Sequence, residues 1–392
     1  MKKRFLKYMK HLIITIIIAI PLIFIIGILV GNIIKYGKDI NVRNLNNEGP
    51  YIFFENDSLI STNYIKGNEV DGFSLDTKNY SIESKLTSEC YYALDSSSFS
   101  FNVNLNIKTP NTVYNDANKI IAVSDIESNY KTFRNFLINS KVIDKELNWI
   151  FDKGHLVLVG DMIDRSYFTT QILWFIYKLE QDARKKGGYV HFILGNHEVM
   201  NMRGNHSYAA SKYRYVSTIL KKKQFELYSR KSLIGKWLES KNTLELINGN
   251  LFVHGGIHPS ILDIDMNIDQ INIALRKKYF ESYYPKKNRS FRDELLYSTK
   301  TSPFWYRGYF KGEITTEDVN KTLEKFNSKR IIVGHTIQDK VNKKHNGKII
   351  GIDIKHPQDY YKYWPKQKSE GLLIENNNLF RLYDNGKKTE KL

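Results

Sequence analysis

The sequence contains one cysteine, Cys90, among 392 residues. That excludes an intrachain disulfide and any thiolate metal cluster, so a metal ion can be held only by His, Asp, Glu and Asn. No internal repeat and no long low-complexity tract is present. Residues 1–11 hold five Lys and Arg and no acid, and Leu12 to Gly31 is free of charge altogether. No nucleic-acid recognition module is visible, so the net charge of +18 is weak ground for a nucleic-acid partner and none is expected. The same charge suits an anionic membrane surface or phosphorylated substrates, and a general excess of lysine explains it equally well.

At 46.0 kDa the chain is long enough for one large domain or two small ones. Apolar residues make up 42% and charged ones 26%, which supports a sizeable core and excludes global disorder. Tyr and Phe number 26 and 21, as in strand-rich chains. The twenty residues of Leu12–Gly31 match a bilayer span. The basic flank at 1–11 predicts an N-terminus in the cytoplasm and the C-terminal bulk outside it, periplasmic or extracellular. A cleaved signal peptide would have a shorter apolar stretch and a small-residue site, and Gly31-Asn32-Ile33-Ile34-Lys35 offers none, so an uncleaved transmembrane anchor is expected.

Residues 32–118 read as a β-rich stalk or flanking layer. Pro50–Phe54 and Tyr91–Leu94 look like short strands, and Phe99–Leu105 alternates apolar and polar as a half-buried strand does. From residue 119 to 392 the rhythm becomes strand, polar tip, helix. Lys119–Val123 runs into Ser124-Asp125-Ile126-Glu127, and Leu156–Val159 into Gly160-Asp161-Met162-Ile163-Asp164-Arg165. Thr169–Lys186 is an amphipathic helix with Ile172, Phe175, Ile176 and Leu179 on one face, stopped by Gly187-Gly188. Tyr189–Leu194 delivers Gly195-Asn196-His197-Glu198, Asn250–Val253 delivers His254-Gly255-Gly256, and Arg330–Val333 delivers Gly334-His335. Gly371–Glu375 and Leu379–Tyr383 read as a closing hairpin.

Five predicted strands thus end in Asp, Glu, Asn or His, four of them beside a Gly that lets the backbone turn and approach a ligand closely. One such tip is an ordinary turn; five together point to a shared ligand. Asp125, Glu127, Asp161, Asn196, His254 and His335 form an oxygen- and imidazole-rich set suited to Mg, Mn, Fe or Zn, in which a carboxylate can bridge two ions. Two ions about 3.5–4 Å apart clamp the attacking and leaving oxygens in phosphoester hydrolysis and make hydroxide available near neutral pH.

In their order, these five motifs resemble the calcineurin-like metallophosphoesterase superfamily. Gly160–Arg165 and Gly195–Glu198 resemble its phosphoprotein phosphatase branch. Glu198-Val199-Met200-Asn201-Met202 with Tyr213–Val216, and Pro303-Phe304-Trp305-Tyr306-Arg307-Gly308-Tyr309, are similar to the bacterial Shewanella-like phosphatases. The resemblance covers roughly residues 119–380. It implies an α/β fold, a metallophosphoesterase β-sandwich of two central sheets flanked by helices. It also implies roles: Asp161 bridging two divalent ions, Asp125 and Glu127 completing the first site, and Asn196, His254 and His335 the second. By the same resemblance His197 protonates the leaving oxygen, Asp164 orients it, and Arg165 and Arg307 grip phosphate.

The chain departs from the family at Glu127, where His is usual, and at Ser128 and Ser166, where Gly is usual. A carboxylate at 127 can ligate, which would favour Mn or Mg; the alternative is a first site left weak or empty. Other residues attract less. Gly204-Asn205-His206 repeats Gly195-Asn196-His197 without a preceding strand and reads as a loop, with Asn201 the better near-site candidate. His258 reads as peripheral, His191 as a core histidine, and His155, His345 and His356 as partnerless in polar surroundings. Lys221–Lys223 reads as a solvated face, and Tyr360-Tyr361-Lys362-Tyr363-Trp364 as packing or a cleft rim. The expected function is a membrane-anchored phosphomonoesterase acting on phosphoproteins, phosphotyrosine included. A phosphodiesterase or dinucleoside-polyphosphate hydrolase on the same site, or a tethered binding protein weakened at Glu127, are the competing readings.

Overall fold

The computed structural model describes residues 2–284 and 286–392. Two compact units are present: the chain up to Asp39 with Tyr360–Lys368, and Ile40–Asp359 with Ser369–Leu392.

The larger unit is built on two six-stranded sheets. In the first, Tyr189–Ile193, His155–Val159 and Ile120–Val123 run parallel, followed by the antiparallel strands Glu370–Glu375, Asn378–Tyr383 and Lys388–Lys391. In the second, Ile349–Gly351, Arg330–Val333 and Asn250–Val253 run parallel, with Asn342–Lys344 on one side and Leu244–Ile247 and Val113–Tyr114 on the other. The unbroken Val, Ile and Leu runs of Ile120–Val123 and His155–Val159 are what strands covered on both faces require, and both are wholly buried. The core lies between the sheets, where Ile120, Val157, Val159 and Leu372 meet Ile247, Phe252, Ile332 and Ile350. The helix Thr169–Lys185 buries Ile172, Phe175, Ile176 and Leu179 as its periodicity requires, and the chain turns away at Gly187, φ +77°. The closing hairpin forms with Leu373 opposite Phe380.

Residues 40–118 fall in this same compact unit. Glu48–Phe54, Leu59–Asn68 and Gly72–Ser81 form a three-stranded sheet, and Leu86–Tyr92 pairs with Ser97–Val103. The alternation in Ser97–Val103 buries Phe99 and Phe101, and Phe101 stacks on Trp174 of the helix Thr169–Lys185 at 4.6 Å between ring centres. A buried ion pair, Glu48 to Lys212 at 2.8 Å, adds to this contact, with Tyr51 and Thr170 donating to the same carboxylate. A boundary at 118/119 therefore does not separate compact units; apolar rings and a satisfied buried charge cross it.

In the smaller unit the helix runs Lys2–Leu29, so the basic tail is helical along with the apolar stretch. It meets the length and composition of a membrane span, and a signal sequence near the N-terminus meets the same test. Ile34–Gly37 then pairs antiparallel with Tyr361–Trp364. Of the aromatic run Tyr360–Trp364, residues Tyr361–Trp364 form the second strand of this pair. Lys35 Nζ lies 3.7 Å above the Tyr361 ring, and Trp364 lies beside Phe24 at 6.2 Å.

Candidate active site

The carboxyl ends of five of the six parallel strands, three in the first sheet and two in the second, carry the predicted site residues other than Arg307, which caps the short helix Gly308–Lys311. Backbone hydrogen bonds stitch the tips together: Asp125 N–H donates to Gly160 O at 3.1 Å, and Gly334 N–H to His254 O at 2.9 Å. The tips are tightly turned, with Asp125, Glu127, Ser128, Asp161, Asp164, Arg165 and His335 all in the left-handed region, φ +51° to +72°. Such conformations cost about 1 kcal/mol or more per non-glycine residue and cluster where a site dictates the backbone. Ser128, at φ +63°, shows why glycine is the relaxed choice there. Gly160 has no substitute: at φ +76° a Cβ would lie 2.5 Å from His254 Nδ1.

Asp161, His254 and His335 bring ligating atoms within 4.8 Å of one another, all buried. Asp161 Oδ2 is 3.1 Å from His254 Nε2, which is 3.0 Å from Asn196 Oδ1. His254 Nδ1 lies 2.7 Å from the Val159 carbonyl, so it carries the proton and leaves Nε2 as the ligating nitrogen. His335 Nε2 lies 3.1 Å from the Trp305 carbonyl, which leaves Nδ1. Burial first, then His254 and Arg307, push His335 down to about 2, so it stays a neutral ligand. Burial opposes charge on Asp161 and on His254. Their mutual attraction outweighs it, holding the Asp161 carboxyl far below its usual range and raising His254 to about 9. A divalent cation replaces such a proton between carboxylate and imidazole. The donor set fits a divalent ion.

The first site is differently furnished. Asp125 is buried, with its Oδ2 accepting from His335 N–H at 3.1 Å and from Ser124 Oγ–H. Burial and then the Asp353 carboxylate push its carboxyl well up. Glu127 is partly exposed and its Oε1 pairs with Arg165 Nε at 3.0 Å. Burial raises Glu127 although Arg165 opposes it. Two predicted functions, metal ligand and phosphate clamp, are thus held against each other. Arg307 also reaches the site, with Nη1 donating to the His335 carbonyl and Nη2 3.4 Å from His335 Nδ1.

His197 and Asp164 form the predicted dyad. His197 Nδ1 is 2.8 Å from Asp164 Oδ2, and His197 Nε2 is 3.7 Å from Asp161 Oδ2. Burial lowers His197, but Asp161 and Asp164 prevail and raise it to about 9.

Two residues that sequence reasoning did not assign belong here. Asp353 is buried just past the end of the strand Ile349–Gly351. Burial and then the Glu127 and Asp161 carboxylates push it up to about 8, with Arg307 and Arg165 pulling the other way. Its signal was present in Ile349-Ile350-Gly351-Ile352-Asp353, a sixth apolar run ending in an acid. The second is Glu198. Oε2 accepts the N–H groups of Asp161 and Gly195 at 3.0 and 2.8 Å, and Oε1 that of Met162 at 2.9 Å. One carboxylate so ties two strand tips together, as the third helical residue of Asn196–Met202 folding back on its own cap.

Three other expectations change. His155 is buried and partnered: its Nδ1 meets His191 Nε2 at 2.9 Å and its Nε2 meets Asp116 at 3.0 Å, while His191 Nδ1 meets Glu245 at 2.6 Å. His356 is also buried, between Ser369 Oγ and the Ser124 carbonyl. Both lie in stretches whose polar neighbours hid their burial. His345 meets Thr316 Oγ1 at 3.2 Å.

The calcineurin-like phosphoesterase family model matches residues 118–339. The chain is 31% identical over 236 residues to Shewanella-like protein phosphatase 1 of Plasmodium berghei, covering 56% of this chain and 61% of that protein. It is 22% identical over 299 residues to Shewanella-like protein phosphatase 2 of Arabidopsis thaliana, covering 62% and 72%. Among solved structures, a point mutant of a cold-active protein tyrosine phosphatase superposes with a TM-score of 0.74 at 31% identity, covering 88% of this chain and 99% of that one. The cold-active protein-tyrosine phosphatase of a psychrophilic Shewanella species gives 0.72 at 30%, with the same coverage. With the sandwich, the six strand ends and this family match in hand, the chain belongs to the calcineurin-like phosphoesterase family.

Proposed function

We propose that the protein is a membrane-anchored phosphatase that hydrolyses phosphomonoesters, phosphotyrosine in proteins included, with two divalent ions and its catalytic domain outside the cytoplasm. The observation that carries the reading is the His197–Asp164 pair, 2.8 Å apart, standing beside the Asp161, His254 and His335 donors. Asp161 would bridge the ions, Asn196, His254 and His335 would hold the second, and Asp125 with Glu127 the first. Divalent ions, when bound there, supply Lewis acidity and an activated water.

The remaining work falls to the protein. Asp164 fixes the His197 ring by accepting from Nδ1–H, so that Nε2–H faces the leaving oxygen and protonates it. Arg165 and Arg307 would clamp phosphate oxygens. For Arg165 this means exchanging the Glu127 carboxylate for phosphate. The tyrosine phosphatase activity for which the cold-active relatives are named supports a phosphotyrosine substrate here. The Lys2–Leu29 helix and its basic start support the anchor and its direction.

The Glu127–Arg165 pair favours a second reading, a tethered binding protein with weakened catalysis. Full chain loaded with manganese, assayed on phosphotyrosyl peptide, p-nitrophenyl phosphate and bis-p-nitrophenyl phosphate, separates the readings. The monoesters should turn over, and Asp161→Asn should abolish turnover while leaving the fold intact by circular dichroism. Turnover of the diester alone would point to a phosphodiesterase. Two bound ions with no turnover on any ester would select the binding protein.

A further inference from the structure

We propose that His206 is a positioning residue for the proton donor His197, acting through Asn201 and Asp164; the inference rests on the acid role given to His197 above. The sequence signal was the Gly204-Asn205-His206 echo of Gly195-Asn196-His197, which no strand precedes. Its meaning lies in a hydrogen-bonded chain. Asn201 Nδ2 is 2.9 Å from both Asp164 oxygens and 2.9 Å from the His197 carbonyl. All three are acceptors, so this atom must be the amide nitrogen. The amide oxygen therefore faces His206 Nδ1, 3.0 Å away, and an oxygen there accepts. His206 must carry its proton on Nδ1.

The donors then run in one direction from His206 to Asp164. His206 Nδ1–H donates to Asn201 Oδ1, and Asn201 Nδ2–H donates to the Asp164 carboxylate. Asp164 Oδ2 also accepts His197 Nδ1–H at 2.8 Å. Aligned links of this kind polarise one another. The arrangement also pins the Asn201 amide. A rotated amide would point its oxygen at the carboxylate and lose the His206 donor at once. Asn201 itself is rigidly carried, one turn beyond His197 on the helix Asn196–Met202.

The same loop grips the acid a second time. Tyr208 packs against the His197 ring at 5.0 Å between ring centres, and its carbonyl accepts Arg165 N–H at 2.9 Å. His206 Nε2 is buried and has no hydrogen-bond partner among the described residues, so the ring is held through Nδ1. Asp164 thus accepts from both the acid and the His206–Asn201 link, and its carboxylate cannot swing away from the imidazole without breaking both.

The test compares two leaving groups in the manganese-loaded full chain. Phenyl phosphate needs its leaving oxygen protonated, whereas p-nitrophenyl phosphate needs this little. His206→Phe keeps a ring and removes the donor. It should lower kcat on phenyl phosphate about tenfold and on p-nitrophenyl phosphate by no more than about twofold, a fraction of the usual general-acid contribution. His206→Asn places an amide N–H near the position of Nδ1 and should restore the phenyl phosphate rate. Histidine-selective nitrogen NMR of the metal-free full chain should show His206 protonated on Nδ1. Equal loss on both esters, no loss, or a proton on Nε2 would overturn the proposal. His197→Asn serves as the reference and should show a larger leaving-group dependence than His206→Phe. If His197→Asn slowed both esters alike, the acid assignment itself would fall and this inference with it.

Discussion

The two halves of the donor set are built from similar strand ends yet are in different states. Asp161, Asn196, His254 and His335 are buried, and their ligating atoms already converge. Asp125, Glu127 and Asp353 are all carboxylates, and one of them, Glu127, is partly exposed and spends its charge on Arg165. Imidazoles are neutral donors that can be packed against one carboxylate without repulsion. Several carboxylates cannot be packed together unless a proton or a cation sits among them. The second half is therefore organised by hydrogen bonding within the protein, and in the first half the repulsion is relieved by a proton held on Asp353 and by the Glu127–Arg165 pair.

The comparison breaks most sharply by removing a member of the ordered half. His254→Ala should cost activity on p-nitrophenyl phosphate well beyond the roughly 10–100-fold typical of outer partners of a metal site, and metal analysis should find the second ion lost. Glu127→Ala, in the other half, should cost on the order of tenfold and should lower the content of the first ion alone, while Glu127→His should tighten that ion. Unchanged metal content in both Glu127 variants would show that Glu127 serves only Arg165.

Proton linkage gives a third contrast. In the folded chain Asp353 keeps its proton to about pH 8 and His197 and His254 keep theirs to about pH 9. The unfolded chain releases them near ordinary values, about 4 and 6.5. The folded state binds more protons between about pH 6.5 and 9, so stability falls across that window. His335, neutral in both states above pH 6.5, adds nothing there. Calorimetry of metal-free protein should show Tm dropping by roughly 5 °C over this range, and manganese should flatten the drop; parallel curves would contradict it. The smallest effect is expected at Ser128→Gly. It relieves a left-handed φ but gives up the 2.8 Å bond to Thr169 Oγ1, for a net gain of about 0.5–1 kcal/mol in chemical denaturation with activity kept.

The sandwich and most of the site were legible because buried parallel strands read as unbroken apolar runs, and each ended in a side chain that solvent-facing turns rarely combine. Asp353 escaped because its run is short, Ile349–Gly351, and because two residues, Ile352 and Asp353, stand past its end. The flanking layer was open to reading as a stalk because alternation reports one buried face and not what covers it. Phe99 and Phe101 face the helix Thr169–Lys185, a partner far along the chain. His155 and His356 looked partnerless for a related reason, since the partners of a buried polar residue can lie far along the chain, where no local pattern names them.

By itself the sequence determined which atoms are available for chemistry: the oxygen and imidazole donors, their order, and the strand–tip rhythm that exposes them at one end of each strand. Local periodicity carries that information because it records which faces must leave water. Tertiary structure alone decided their states. It set Glu127 against Arg165, added Asp353 to the carboxylates, left the aromatic run Tyr361–Trp364 with Ile34–Gly37, and gave the His206 echo a link to Asp164. Charge pairing and burial are properties of distances between parts of the chain, and those distances exist only once it has folded.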